Sequence, residues 1–174
     1  MQRRVVLLRA VNVGPAQLPM GELRAIATDL GATSVSTYVA SGNLLAVIKG
    51  NPDAFDRALE KALEERYGWF RDVLSRTPQE LAQALAAHPF DVLEPKYSYV
   101  SFMPAAPSAA AVEAARGVPT GDDCWQVIGR DLHVRYADGA GRPQLKDQVL
   151  LKHLGQVATA RNLNTVRKLI ELCG

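Results

Sequence analysis

From Arg4 to Val13 the chain is almost unbroken in β-branched residues and Leu, the pattern of a buried strand, and Gly14-Pro15 ends it. The rhythm then changes. Met20, Leu23, Ile26, Ala27 and Leu30 recur at helical spacing, and Gly31 supplies a C-terminal stop. Ser34 to Val39 and Leu44 to Ile48 read as two strands of a hairpin turning at Ser41-Gly42. Asn51 caps a helix with Pro52 at its first position and an apolar face of Phe55, Ala58, Leu59, Ala62 and Leu63. Trp69 to Leu74 predicts a fourth strand. Strand, helix, strand, strand, helix, strand is the order of a split βαβ unit of the ferredoxin-like type.

The second half repeats much of this order. Thr77-Pro78-Gln79-Glu80 is a capping box that opens a helix carrying Leu81, Ala84 and Leu85 and ending near His88-Pro89. Tyr97 to Met103 predicts a strand, Ser108 caps an Ala-rich helix, and Cys124 to Ile128 with Leu132 to Tyr136 predict a hairpin around Gly129-Arg130-Asp131. Gln144 to Leu154 reads as a helix stopped at Gly155. Asn162 to Leu172 reads as the last helix, with Leu163, Val166, Leu169, Ile170 and Cys173 as its stripe. The expectation is an α+β fold of two ferredoxin-like (split βαβ) subdomains with mostly antiparallel sheets. Residues 1–77 form the first; residues 78–174 form the second, with a linker helix and an extra C-terminal helix.

Composition adds mainly exclusions. A chain of 174 residues can bury a core without disulfides or metal, and a formal net charge of +2 does not by itself imply a nucleic-acid or membrane partner. Cys124 and Cys173 form no framework or ligand pattern, and no apolar run approaches the ~20 residues of a membrane span. A reduced, cytoplasmic protein is expected. GxSxG, HExxH, Walker A and GxGxxG arrangements are all lacking, and His88, His133 and His153 have no carboxylate and nucleophile at telling spacing. No cofactor or metal is expected.

Three polar groups stand out against the apolar pattern. Arg9 alternates with Val5, Leu7, Val11 and Val13 on one strand face, with Asn12 on the other. Such an Arg is either an ion-pair partner or a planar fork of donors for carboxylate or phosphate. Ser41-Gly42-Asn43 suits a tight turn, and its hydroxyl and amide could equally line a pocket. Thr159 to Thr165 opens the last helix, where free N–H groups and Arg161 favour an anion; one cap needs one side chain, and five polar ones are present. The expected ligand site is therefore Arg9, Asn12, Ser41, Asn43, Arg161, Asn162 and Asn164, taking a small anionic or nucleotide-like ligand. One alternative is a nucleic-acid-binding module using Arg142, Lys146, Lys152, Arg161, Arg167 and Lys168. Another is an enzyme acting on a phosphorylated substrate. Base stacking on the central strands is disfavoured, because Val5 to Val11 and Leu44 to Ile48 contain no aromatic residue.

These polar groups also carry a resemblance. Leu8-Arg9, Asn12-Val13-Gly14, Leu18-Pro19-Met20, Thr37-Tyr38, Ser41-Gly42-Asn43, Pro89-Phe90, Phe102, Thr159, Arg161-Asn162, Asn164-Thr165-Val166 and Lys168-Leu169 resemble the signature of the bacterial DUF1697 family nearly end to end. Ala10, Ala40 and Leu163 depart from it, standing where the family tends to have Gly, Gln and Trp. The resemblance implies a pair of ferredoxin-like subdomains and no established substrate.

Overall fold

The computed structural model describes residues 1–174. The chain divides into two compact units, residues 1–81 with 169–174, and residues 82–168.

In the first unit, β1 (Gln2–Leu8), β2 (Thr33–Thr37), β3 (Asn43–Ile48) and β4 (Val73–Arg76) form one antiparallel sheet in the order β2-β3-β1-β4. Helices α1 (Met20–Asp29) and α2 (Pro52–Tyr67) bring Leu23, Ala27, Phe55, Leu59 and Leu63 onto Val6, Leu8, Leu44, Ala46, Ile48 and Val73. Val5, Leu7, Leu45 and Leu74, on the opposite face, are buried as well. This explains the near-continuous apolar runs of β1 and β3. Asn51 Oδ1 accepts from the N–H groups of Asp53 and Ala54, and Gly68 closes the helix in the left-handed region.

In the second unit, β5 (Ser98–Phe102), β6 (Cys124–Ile128), β7 (Asp131–Arg135) and β8 (Thr159–Asn162) form a second antiparallel sheet in the order β6-β7-β5-β8. Helices α4 (Ala109–Ala115) and α5 (Asp147–Leu154) complete a second βαββαβ unit. The remaining helices are α3 (Pro78–Ala87) and α6 (Leu163–Cys173). The capping box at the start of α3 is formed: Thr77 N donates to Glu80 Oε2 at 2.7 Å, and Glu80 N to Thr77 Oγ1 at 3.1 Å.

The α+β expectation therefore holds, with four local corrections. The first strand ends at Leu8, because Ala10 and Asn12 take positive φ of 51° and 56° and turn the chain. Val11 is buried from a loop and Val13 is exposed, so neither continues the strand alternation. The fourth strand begins at Val73 and not Trp69, since the pairing partner Leu8 fixes where the ladder starts. The fifth helix begins at Asp147 and not Gln144, because Lys146 is extended (φ −91°, ψ 98°) and breaks the helical run, while the N–H groups of Gln144 and Leu145 go to the Asp123 carboxylate. Thr159 to Arg161 do not open the last helix; together with Asn162, which caps it, they are β8, paired with β5.

Candidate functional site

The first four candidate residues lie at one end of the first sheet, where the segments 9–19, 38–42 and 68–72 emerge. Asn12 is a brace. Its Nδ2 donates to Leu18 O (3.0 Å) and Ala40 O (2.5 Å), and its Oδ1 accepts from Leu18 N (2.8 Å). One side chain thus ties the loop after β1 to the β2–β3 connection. Asn43 is fully buried, and its Nδ2 donates to Tyr38 O (3.0 Å) and Ser41 Oγ (3.2 Å), fixing that connection from within. Gly42 lies across β1: a Cβ there would stand 2.6 Å from Val11 Cγ2 and 2.9 Å from Leu8 Cβ. Ser41 is exposed at the turn.

These braces hold unusual backbone. Ala10, Asn12 and Val39 all have positive φ, and Val39 is β-branched, so the conformation is strained there. Between the two loops lies a hollow of about 380 Å³, lined by Asn12, Gln17, Leu18, Pro19, Met20 and Ala40. Arg9 is not on the lining of this hollow. Its Nη1 lies 3.5 Å from Asp72 Oδ2, a long ion pair that leaves most of a part-exposed guanidinium fork open. Beside it, Arg71 Nε donates to Ala10 O, and its guanidinium sits over the Trp69 ring.

The other three candidates belong to the second unit, and two of them have internal tasks. Arg161 alternates inward with Thr159 on β8, so it is buried rather than displayed at a helix start. Its Nη1 donates to Thr159 Oγ1 (2.7 Å) and Ala160 O (2.8 Å), and burial pulls its pKa down to about 10, still high enough to keep it charged at neutral pH. Asn162 Oδ1 accepts from Thr165 N at 2.9 Å and caps α6. Asn164 is exposed and makes no hydrogen bond. Buried Arg161 is also unavailable to the basic face considered for nucleic acid. Tyr99 and Phe102 on β5 offer no open stacking platform, because Phe102 is buried and Tyr99 packs edge-on against Tyr136.

Two features escaped the sequence reading. His88 and His133 face each other, Nδ1 to Nδ1, at 3.0 Å. Burial, with His88 beside it, pulls His133 down to about 4. Burial lowers His88 as well, so one ring donates to the other, and no cluster of three or more His, Cys, Asp or Glu groups stands ready for a metal. The pairing depends on the register of β7, for which local sequence gives no signal. The second feature is Asp56, buried on α2 with Oδ2 accepting from Ser75 Oγ at 3.0 Å.

Residues 1–133 match the model of DUF1697, a family described as proteins of unknown function. The chain belongs to this family. A solved structure of a conserved bacterial protein from Streptococcus pneumoniae is similar over 99% of this chain and 98% of that one, at 19% identity and a TM-score of 0.68. That likeness speaks for the fold alone. A protein proposed to be a glycine cleavage system transcriptional repressor is 14% identical over 91% of this chain and 95% of its own, at a TM-score of 0.24, too low to carry an argument. No curated protein matches the chain. No helix is long and apolar enough to cross a membrane.

Proposed function

We propose that this DUF1697 protein binds a small anionic ligand, of phosphate or nucleotide type, at the loop end of the first unit's sheet. The supporting observation is the strained pair of loops around the hollow beside Asn12. Three non-glycine residues held at positive φ imply a backbone whose shape is set by its surroundings, and such strain gathers at binding sites. The amides of Asn12 and Asn43 are committed to that shape, so they position the site without touching ligand. Arg9, directly after β1 and off the lining of the hollow, supplies the charge; Gln17 lines the hollow, and Ser41 lies at the adjoining turn. The setting that suits this reading is the bacterial cytoplasm, in keeping with two unpaired cysteines.

The test is a thermal-shift series with phosphate and sulfate on wild type and Arg9→Ala. Bound anion raises the melting temperature saturably by mass action, and the reading expects Arg9→Ala to remove most of that rise while leaving the anion-free melting temperature nearly unchanged. Equal stabilisation of both proteins would contradict it.

A further inference from the structure

A second opening, in the other unit, has no part in the reading above. It is a cleft of about 550 Å³ between the one-turn helix Pro95–Tyr97 that leads into β5 and the segment after β7. That size is typical of small-molecule sites. Its chemistry is mixed in a specific way. Tyr97 and Tyr99 give it two aromatic rings, and neither hydroxyl has a partner within the chain. Lys96 and Arg142 stand on the lining as cations; Lys96 pairs loosely with Glu94 at 3.6 Å, and the exposed Arg142 guanidinium makes no hydrogen bond or ion pair. Asp138 is the acidic group on the lining, with its carboxylate accepting from Gln144 Nε2 at 3.3 Å.

The loop that closes the cleft is held rigid from below. Buried Asp123 accepts from the N–H groups of Ala137 (2.8 Å), Gln144 (2.7 Å) and Leu145 (2.8 Å), so one carboxylate fixes both ends of the loop. Tyr136 N donates to Tyr97 O at 2.8 Å, and two successive turns follow, Gly139 N to Tyr136 O and Arg142 N to Gly139 O. Gly139 has a φ of 85°, and a Cβ there would lie 2.9 Å from the Tyr97 ring, so the loop backbone rests directly on that ring. At the loop tip the N–H groups of Ala140 and Gly141 make no bond within the chain. Two free amides beside Arg142 form a preformed donor cluster of the kind that suits phosphate oxygens.

We infer that this cleft binds a nucleoside monophosphate, its phosphate on Arg142, Lys96 and the Ala140 and Gly141 amides, and its base stacked on the Tyr97 ring beside Lys96, with the half-buried Tyr99, edge-on to Tyr136, as the wall behind it. Asp138 accepts from a hydroxyl or amino group of the nucleoside. An acidic group on the lining weighs against a bare anion, and rings without cations would suit an uncharged aromatic molecule; the combination suits a ligand that has both parts. Stacking on an aromatic side chain tolerates any base, so the site reads the class of ligand more than the base itself.

The experiment is a site-resolved amide chemical-shift titration of the full chain with the monophosphates of adenosine, guanosine, cytidine and uridine, and with adenosine and inorganic phosphate alone. At least one monophosphate moves the Ala140 and Gly141 amides saturably, and both fragments bind about tenfold or more weaker. Arg142→Ala, exposed and unbonded, folds normally and weakens the monophosphate by about tenfold or more, the loss expected for a charge-assisted contact. Amides that stay still with all four monophosphates, adenosine or phosphate binding as tightly as the ester, or an Arg142→Ala midpoint equal to wild type would each overturn the inference. None of these outcomes bears on Arg9 and the first unit's loops, so the two readings stand or fall separately.

Discussion

Asp56 shows how a single residue sets a pH dependence. Burial raises its pKa to about 6, against the partial relief given by the Ser75 hydroxyl and by Arg57 and Arg4. A carboxyl raised in the folded state gives its full stability below the unfolded value near 3.8, and loses it as the pH climbs through about 6. The ionised form should therefore cost about 3 kcal/mol at pH 7. Asp56→Asn keeps an acceptor for Ser75 and is expected to stabilise the protein by up to about that much at pH 7, with the gain vanishing near pH 4. Denaturant titrations of both proteins across this range check it. The comparison must be between variants, because His133, depressed to about 4, destabilises the fold as the pH falls from 6.5 to about 4, and so masks the wild-type trend. Arg161 makes a second case. As a buried, hydrogen-bonded cation, its replacement by Ala is expected to cost more than about 2 kcal/mol, read as a shift of the denaturation midpoint. A loss under about 0.5 kcal/mol would mean a surface role. Local sequence revealed the Asn51 cap and the Thr77–Glu80 box, since their partners lie within three residues. It could not reveal Asp56 or Arg161, whose environments come from chain far away.

Elements were legible where propensity and pairing agree. The start of helix α2, with its Asn51 cap and N1 proline, was read to the residue, while its end at Tyr67 and closing Gly68 were not assigned. Strand β8 was not, because Thr-Ala-Arg-Asn is polar and short, and only pairing with β5 makes it a strand. The end of β1 was overread for the opposite reason: Val11 and Val13 look like strand, but the loop geometry around Asn12 prevails. Gly42 is where that geometry is tightest. Gly42→Ala combines a left-handed backbone with a Cβ inside contact distance of Leu8 and Val11, and is expected to destabilise by about 2–4 kcal/mol. A change below about 1 kcal/mol in the unfolding free energy would show that the β2–β3 connection can shift away from β1.

At the scale of the molecule, element order alone exposed the two ferredoxin-like sheets, each with its first strand beside its third and fourth. The second appeared incomplete until β8 supplied its last strand. The polar residues of the candidate site stand out in the sequence, but their contacts do not: the amides of Asn12, Asn43 and Asn162 hold backbone in place. What remains open to ligand at the first sheet's end is Arg9 and the hollow the amides shape. The most direct measurement is an amide chemical-shift titration with inorganic phosphate, following the segment 9–18 and the turn 38–42. The account predicts saturable shifts in both segments that Arg9→Ala abolishes. Segments that do not move, or move identically in Arg9→Ala, would contradict it.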